Sequence, residues 1–309
     1  MRVVGSLTTI PGRYSKLLRT LKSLHSQDYP LDAIYLGVPK ECRRLKREYP
    51  ELPDEIKQLC TIIACDEDYG PCTKIVGGLL SEQAPDTVIL TFDDDVIYSP
   101  NLVSIMMTYH NKYPECAIGS SGLLLRYGFP FYSTISNCEQ HWNSMTGFRI
   151  TEEGRLVDAL YGFSSVLYIR KFFPSNEDLH DKFLKYPLMD NDVYFNDDIM
   201  ISAFLSKQSI DRKVFMNIPM PNEGKVPDPD IDKLDGNEIS FDKMGFLQRF
   251  RQSISKTKEW GFFAETQAVT LDETTAGHIF IVTVLIIILV ILIIFLYIYM
   301  PQINLLKIF

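Results

Sequence analysis

The chain has 309 residues, a formal net charge of −8 and 46% hydrophobic residues, enough to build a sizeable core in one large domain or two small ones. An aromatic content of 12% excludes a disordered chain. The acidic balance is a poor match for the phosphate backbone of nucleic acid, so no nucleic-acid partner is expected.

Val3–Leu7 is a short β-branched run closed by the Pro11-Gly12 break and predicts a strand. Leu17, Leu18, Leu21 and Leu24 recur at helix period and predict a helix over 14–25. Ala33–Val38 reads as the next strand, the charged stretch 40–49 as a solvated helix, and Thr61–Ala64 as a further strand. Cys72–Leu80 reads as a helix, Thr87–Phe92 as a strongly apolar strand, and Asn101–Tyr113 as a helix capped by Ser99 or Asn101. Strands that alternate with helices in this way predict a mostly parallel sheet with right-handed crossovers, hence an α/β, Rossmann-like domain.

From about residue 115 the pattern is mixed. Ala117–Leu125 and Ser165–Ile169 read as strands, with an aromatic-rich irregular stretch over 127–149 between them. Asp198–Ser206 predicts a short amphipathic helix and Val214–Ile218 a strand, while residues 219–238, with four Pro, four Asp and two Gly, predict a long loop. Ile279–Met300 is a run of 22 uncharged residues. At about 1.5 Å per residue it would cover roughly 33 Å, and it predicts a C-terminal transmembrane helix with Tyr297 and Tyr299 near one interface. Arg249, Arg251, Lys256 and Lys258 on the domain side, against Lys307 beyond, predict a tail-anchored single-pass protein with its domain on the cytosolic face. None of the eleven Asn begins an Asn-x-Ser/Thr site, and the six Cys show no zinc spacing. The expected organisation is a catalytic domain over 1–250, a linker over 251–277, a transmembrane helix over 278–300 and a short tail over 301–309.

The strongest chemical signal is the apolar strand that ends in Asp93-Asp94-Asp95. Three carboxylates there are costly unless a cation binds, and in extended chain Asp93 and Asp95 share a face while Asp94 points away. Two carboxylates on one face suit a hard divalent ion, Mn²⁺ or Mg²⁺, that also holds phosphate oxygens. The alternative is a plain acidic loop cap. Asp68-Tyr69-Gly70-Pro71-Cys72-Thr73-Lys74 places a turn, a helix start and a lysine together, which suits an anion. Asn196-Asp197-Asp198 reads either as a helix cap or as the source of a general base for an acceptor hydroxyl. Asp158 is a candidate for gripping acceptor hydroxyls, and Trp142, within the aromatic stretch, for stacking on a sugar face. The chain has neither Gly-x-Gly-x-x-Gly nor a Walker motif, so dinucleotide and P-loop readings lack support.

Ser6-Leu7-Thr8-Thr9-Ile10-Pro11-Gly12-Arg13, Asp68-Tyr69-Gly70-Pro71 with Lys74, Asp93-Asp94-Asp95 and Asp197-Asp198-Ile199 resemble, in order, the serial motifs of GT-A-fold glycosyltransferases. The likeness is nearest to a poorly characterised group of bacterial, plant and algal-virus glycosyltransferase-like proteins, and it covers roughly residues 2–218. It implies a GT-A domain that moves a sugar from a nucleoside-diphosphate-sugar donor, a UDP-sugar foremost, to a hydroxyl of a glycan or lipid-linked acceptor, with inversion. It also implies that Thr8, Ile10, Arg13, Asp68, Lys74, Asp93 and Asp94 bind the donor. Asp93 and Asp95 would form the Asp-x-Asp motif that holds Mn²⁺ or Mg²⁺, and Asp198 or Asp197 would act as base. Histidine, a frequent third ligand in that fold, is absent between 181 and 277. Two other readings use the same acidic cluster: a nucleotidyl- or phosphotransferase, and a non-catalytic membrane-tethered binding protein.

Overall fold

The computed structural model describes residues 1–125, 133–136, 153–219, 252–263 and 285–291. The chain divides into two compact units, Met1–Asn143 with Phe148–Thr266, and Ser144–Gly147 with Gln267–Phe309. In chain order the first unit contains strands β1 (Val3–Thr8), β2 (Ala33–Pro39), β3 (Glu41–Cys42), β4 (Arg47–Glu48), β5 (Thr61–Cys65) and β6 (Val88–Phe92). These are followed by β7 (Cys116–Gly119), β8 (Ser121–Leu124), β9 (Ser133–Ser136), β10 (Arg155–Leu156), β11 (Ala159–Leu160), β12 (Val166–Ile169) and β13 (Asp211–Val214). Helices α1 (Tyr14–His25), α2 (Asp54–Leu59), α3 (Thr73–Ser81) and α4 (Leu102–Lys112) alternate with the early strands.

An eight-stranded sheet in the order β10-β13-β7-β12-β6-β1-β2-β5 forms the centre. Strands β6, β1, β2 and β5 run parallel, as the strand–helix alternation predicts, while β12 enters antiparallel between β6 and β7. Both faces of β1 and β6 are covered, so Val3, Val4, Leu7, Ile89, Leu90 and Phe92 are all buried and the strands read as continuous apolar runs. The β1–β6 register pairs Leu7 with Phe92. Thr8-Thr9 and Asp93 therefore leave the sheet together at the carboxyl ends of adjacent strands, where open α/β sheets bind ligands.

Several sequence expectations are corrected. Residues 40–49 form the β3–β4 hairpin rather than a solvated helix. They have no apolar stripe to bury as a helix, and the hairpin is held by tertiary bonds, from Arg47 Nη2 to the Pro11 carbonyl (2.9 Å) and from Tyr49 OH to the Thr9 carbonyl (2.9 Å). The run Ala117–Leu125 breaks between β7 and β8, which belong to different sheets, and the last strand lies at Asp211–Val214 rather than Val214–Ile218. The helix Asp197–Lys207 is not amphipathic, because Ile199, Met200, Ile201, Ala203, Phe204 and Leu205 are all buried. Residues 252–263, placed by the sequence in a linker, belong to the first unit: 252–259 are helical and Ile254, Phe262 and Phe263 are buried.

The transmembrane expectation is overturned. Among the described residues no helix is long and apolar enough to cross a membrane. Of the apolar run 279–300 the described residues are 285–291, and these are helical. The expected C-terminal transmembrane helix and single-pass location with a cytosolic-face domain are therefore not supported. The rest of that run, the aromatic stretch with Trp142 and most of the 219–238 loop lie outside the described residues.

A candidate acidic cleft

A cleft of about 320 Å³ opens where β1 and β6 end. The four segments singled out in the sequence all reach it: Thr8, Thr9, Ile10 and Arg13; Asp68, Gly70, Pro71 and Lys74; Asp93, Asp94 and Asp95; and Asp197 and Asp198. Cys42, Arg44 and Tyr49 from the β3–β4 region, with Phe92, Phe163 and Tyr194, complete its wall. Of the residues singled out in the sequence, Asp158 is not brought to it. Asp158 is buried beside the three-stranded sheet, where its carboxylate accepts the Leu125 N–H and its carbonyl accepts from Arg212 Nε. Those bonds make it a link between strands and leave it no access to an acceptor in the cleft.

The three aspartates after β6 are in different surroundings. Asp94 is buried; its Oδ2 accepts from Thr9 Oγ1 at 2.6 Å and its Oδ1 from Arg13 Nη1 at 3.2 Å. Burial pushes its carboxyl above the usual range, and the Arg13 guanidinium opposes that shift. Asp94 thus fastens the loop after β1 to the end of β6. Asp93 and Asp95 keep 27% and 19% of their side-chain surface exposed and are the two that open to the cleft. The Asp93 N–H donates to Tyr98 OH at 2.8 Å, which fixes the turn from below.

Lys74, in the first turn of α3, has its side chain buried among carboxylates. Its Nζ lies 2.5 Å from Asp93 Oδ1 and 2.9 Å from Asp197 Oδ2. Burial works against its charge, but Asp197, Asp93 and Asp198 outweigh burial and hold its pKa well above the ordinary lysine value. The ammonium is therefore a permanent cation that joins the acidic turn after β6 to the start of the Asp197–Lys207 helix.

Asp198 stands at the other side of the cleft, where its Oδ1 accepts the Gly162 N–H at 2.9 Å. Burial, and then the neighbouring Asp197, push its carboxyl well above the usual range, while Lys74 pulls the other way. A Cβ at Gly162 would sit 2.8 Å from Asp198 Oδ1 and 3.3 Å from Lys74 Nζ, so a larger residue there would displace the two charged groups. Asp68 lines the cleft with its carboxylate already engaged: Oδ1 accepts the Gly70 N–H (2.8 Å), and Oδ2 accepts the Arg43 N–H and Tyr194 OH (both 2.7 Å). It clamps the Gly70 turn, the β3–β4 hairpin and Tyr194 together.

Sequence reasoning missed Thr9, Tyr98, Gly162, Arg44 and Tyr194. Tyr194 precedes the flagged Asp197 by three residues and Tyr98 follows Asp93 by five, so both could have been drawn in by proximity, but Gly162 acts through a partner 36 residues away.

Asp93 and Asp95 suit a divalent ion in one respect: they are the two partly exposed carboxylates of the acidic turn, both on the cleft wall. Among the described residues no group of three or more His, Cys, Asp or Glu is placed to hold a metal ion. A donor set of one or two carboxylates fits Mg²⁺ or Mn²⁺, which fill their remaining positions with water and substrate phosphate.

No family profile matches the chain, and no curated protein matches it in sequence. Among solved structures it is similar to S. aureus TarS 1–349 in complex with UDP, at 14% identity and a TM-score of 0.40 over 72% of this chain and 60% of that one. A second structure of TarS 1–349 gives 15% identity and a TM-score of 0.43 over 89% of this chain and 77% of that one. A third, of S. aureus TarS, gives 15% and 0.39 over 72% and 36%. The chain thus spans 60% of the first of these proteins and 36% of the third. At this distance the functional reading stands on the cleft itself.

Proposed function

We propose that this chain is a metal-dependent glycosyltransferase that moves a sugar from a nucleoside-diphosphate-sugar to an acceptor hydroxyl with inversion. One observation carries the reading. The four motif segments that resemble GT-A enzymes in order along the chain, from Thr8 to Asp198, converge on one cleft at the carboxyl ends of β1 and β6.

Thr8, Ile10 and Arg13 then border the nucleotide, and the Lys74 ammonium presents fixed positive charge to the diphosphate. A divalent ion held by Asp93 and Asp95 would neutralise charge that develops on the leaving diphosphate. Asp197 is committed to Lys74, which leaves Asp198 as the base. Asp198 takes the proton from the acceptor hydroxyl; that oxygen bonds to the anomeric carbon as the bond to the diphosphate oxygen breaks, and the electron pair departs with the nucleoside diphosphate. A raised carboxyl pKa strengthens Asp198 as a base near neutral pH.

The test is to incubate the full chain with UDP-, GDP- or dTDP-sugars and Mn²⁺ and follow slow donor hydrolysis. Release of one nucleoside diphosphate, abolished in Asp95→Asn with the fold intact, is expected. Release of pyrophosphate or a nucleoside monophosphate would replace the reading with nucleotidyl or phosphoryl transfer. Unchanged activity in Asp95→Asn would remove the metal from the proposal.

A further inference from the structure

A second cavity, of about 560 Å³, lies between the β3–β4 turn and residues 191–195. Three cations from the turn, Arg43, Arg44 and Lys46, line it together with Asn191, Asp192 and the rings of Tyr194 and Phe195. Among the described residues that line it, three side chains are cationic and one, Asp192, is a carboxylate, opposite in sign to the −8 of the whole chain.

The two guanidinium groups are held in place. The Arg43 guanidinium carbon lies 4.8 Å from the centre of the Tyr194 ring, and Nη2 donates to Asn191 Oδ1 at 2.8 Å. Arg44 lies 5.9 Å from the centre of the Phe195 ring. Stacking of this kind leaves the planar forks pre-oriented for an oxyanion. Lys46, at φ 51°, closes the turn between β3 and β4 and presents its side chain to the same cavity.

Arg44 and Tyr194 also line the acidic cleft, so the two cavities adjoin. Residues 191–195 lead directly into the helix that carries Asp197 and Asp198, so one wall of the cationic cavity is continuous in chain with the proposed base. Besides Arg44 the cleft holds Arg13 and Lys74, which are paired with Asp94 and Asp95 and with Asp93 and Asp197, whereas Arg43 and Lys46 line only the second cavity.

We propose that this cavity is an oxyanion site for a phosphate or carboxylate carried by the acceptor, so that the substrate class is an anionic acceptor. This rests on the glycosyl-transfer reading. The experiment saturates the full chain with UDP and Mg²⁺, to fill the acidic cleft, and then titrates inorganic phosphate by calorimetry. Phosphate should bind, and the double variant Arg43→Gln/Lys46→Gln should weaken it at least about tenfold while UDP affinity stays unchanged. Equal phosphate affinity in the variant overturns the site, and a parallel loss of UDP affinity overturns it as an acceptor site by assigning the cavity to the donor. If UDP–Mg²⁺ fails to bind the wild-type chain, the transfer reading fails on its own; the phosphate titration without UDP, wild type against variant, still decides the anion site. A matching titration with acetate distinguishes the sources: phosphate-selective binding assigns a phosphoryl group, and comparable binding a carboxylate.

Discussion

Lys74 is the residue on which the cleft's electrostatics turn. Removing its charge strands Asp93, Asp197 and Asp198 in a poorly solvated space with no cation between them. Loss of one member of a buried charge set costs about 3–5 kcal/mol. Lys74→Met is therefore expected to lower the unfolding free energy read from urea denaturation by an amount in that range, and Asp197→Asn in the same chain to restore part of it. At Asp198 the expectation concerns activity. A base works deprotonated, and its carboxyl is raised, so kcat/KM should fall with decreasing pH at values above the ordinary aspartate range of about 3.9. Asp198→Asn should reduce transfer about 10²–10⁴-fold and leave UDP affinity unchanged; a variant with wild-type turnover would reassign the base. The carboxylates and Lys74 were legible in the sequence because charges at element ends stand out against apolar runs. Asp158 was misjudged because an aspartate that satisfies strand N–H groups looks the same in sequence as one that faces a substrate. The contribution of Tyr98, a phenol under the Asp93 amide, exists only in the folded chain.

At the scale of elements, the turn before α3 joins local and distant demands. Gly70 adopts φ +64°, and a Cβ there would fall 2.4 Å from the Tyr194 carbonyl oxygen. Gly70→Ala should cost at least about 1–2 kcal/mol from backbone strain alone. It should also push the 191–195 segment away from the cleft, which a higher KM for donor would report. From Val3 to Lys112 the strands β1, β2, β5 and β6 and the helices α1, α3 and α4 were read correctly, while the short α2 (Asp54–Leu59) was not read. The β3–β4 hairpin was not, because a charged stretch with good helix formers carries no local mark of the bonds to Pro11 and Thr9 that decide its shape. The Asp197–Lys207 helix was found but its burial was not, since covering it on all sides takes elements far apart in sequence.

For the molecule as a whole, the boundary of the first unit has a practical consequence. Ser253 Oγ accepts from Asn196 Nδ2 and donates to the Asp192 carbonyl, both at 2.7 Å, and Ile254, Phe262 and Phe263 are buried. Each buried apolar side chain of this size contributes about 1.5–3 kcal/mol. A chain ending at 250 should therefore melt well below one ending at 266, as read by circular dichroism; coincident melting curves would show the 252–263 segment to be dispensable. The sheet order has a further consequence, for synthesis on the ribosome. The parallel wing β6-β1-β2-β5 is drawn wholly from residues 3–92, whereas Asp197 and Asp198 emerge roughly 100 residues later. At about 5–20 residues per second that interval lasts on the order of 5–20 s. During it the nascent wing already holds Lys74 and Asp93, so the half of the cleft proposed to face phosphate is born before the half that carries the proposed base.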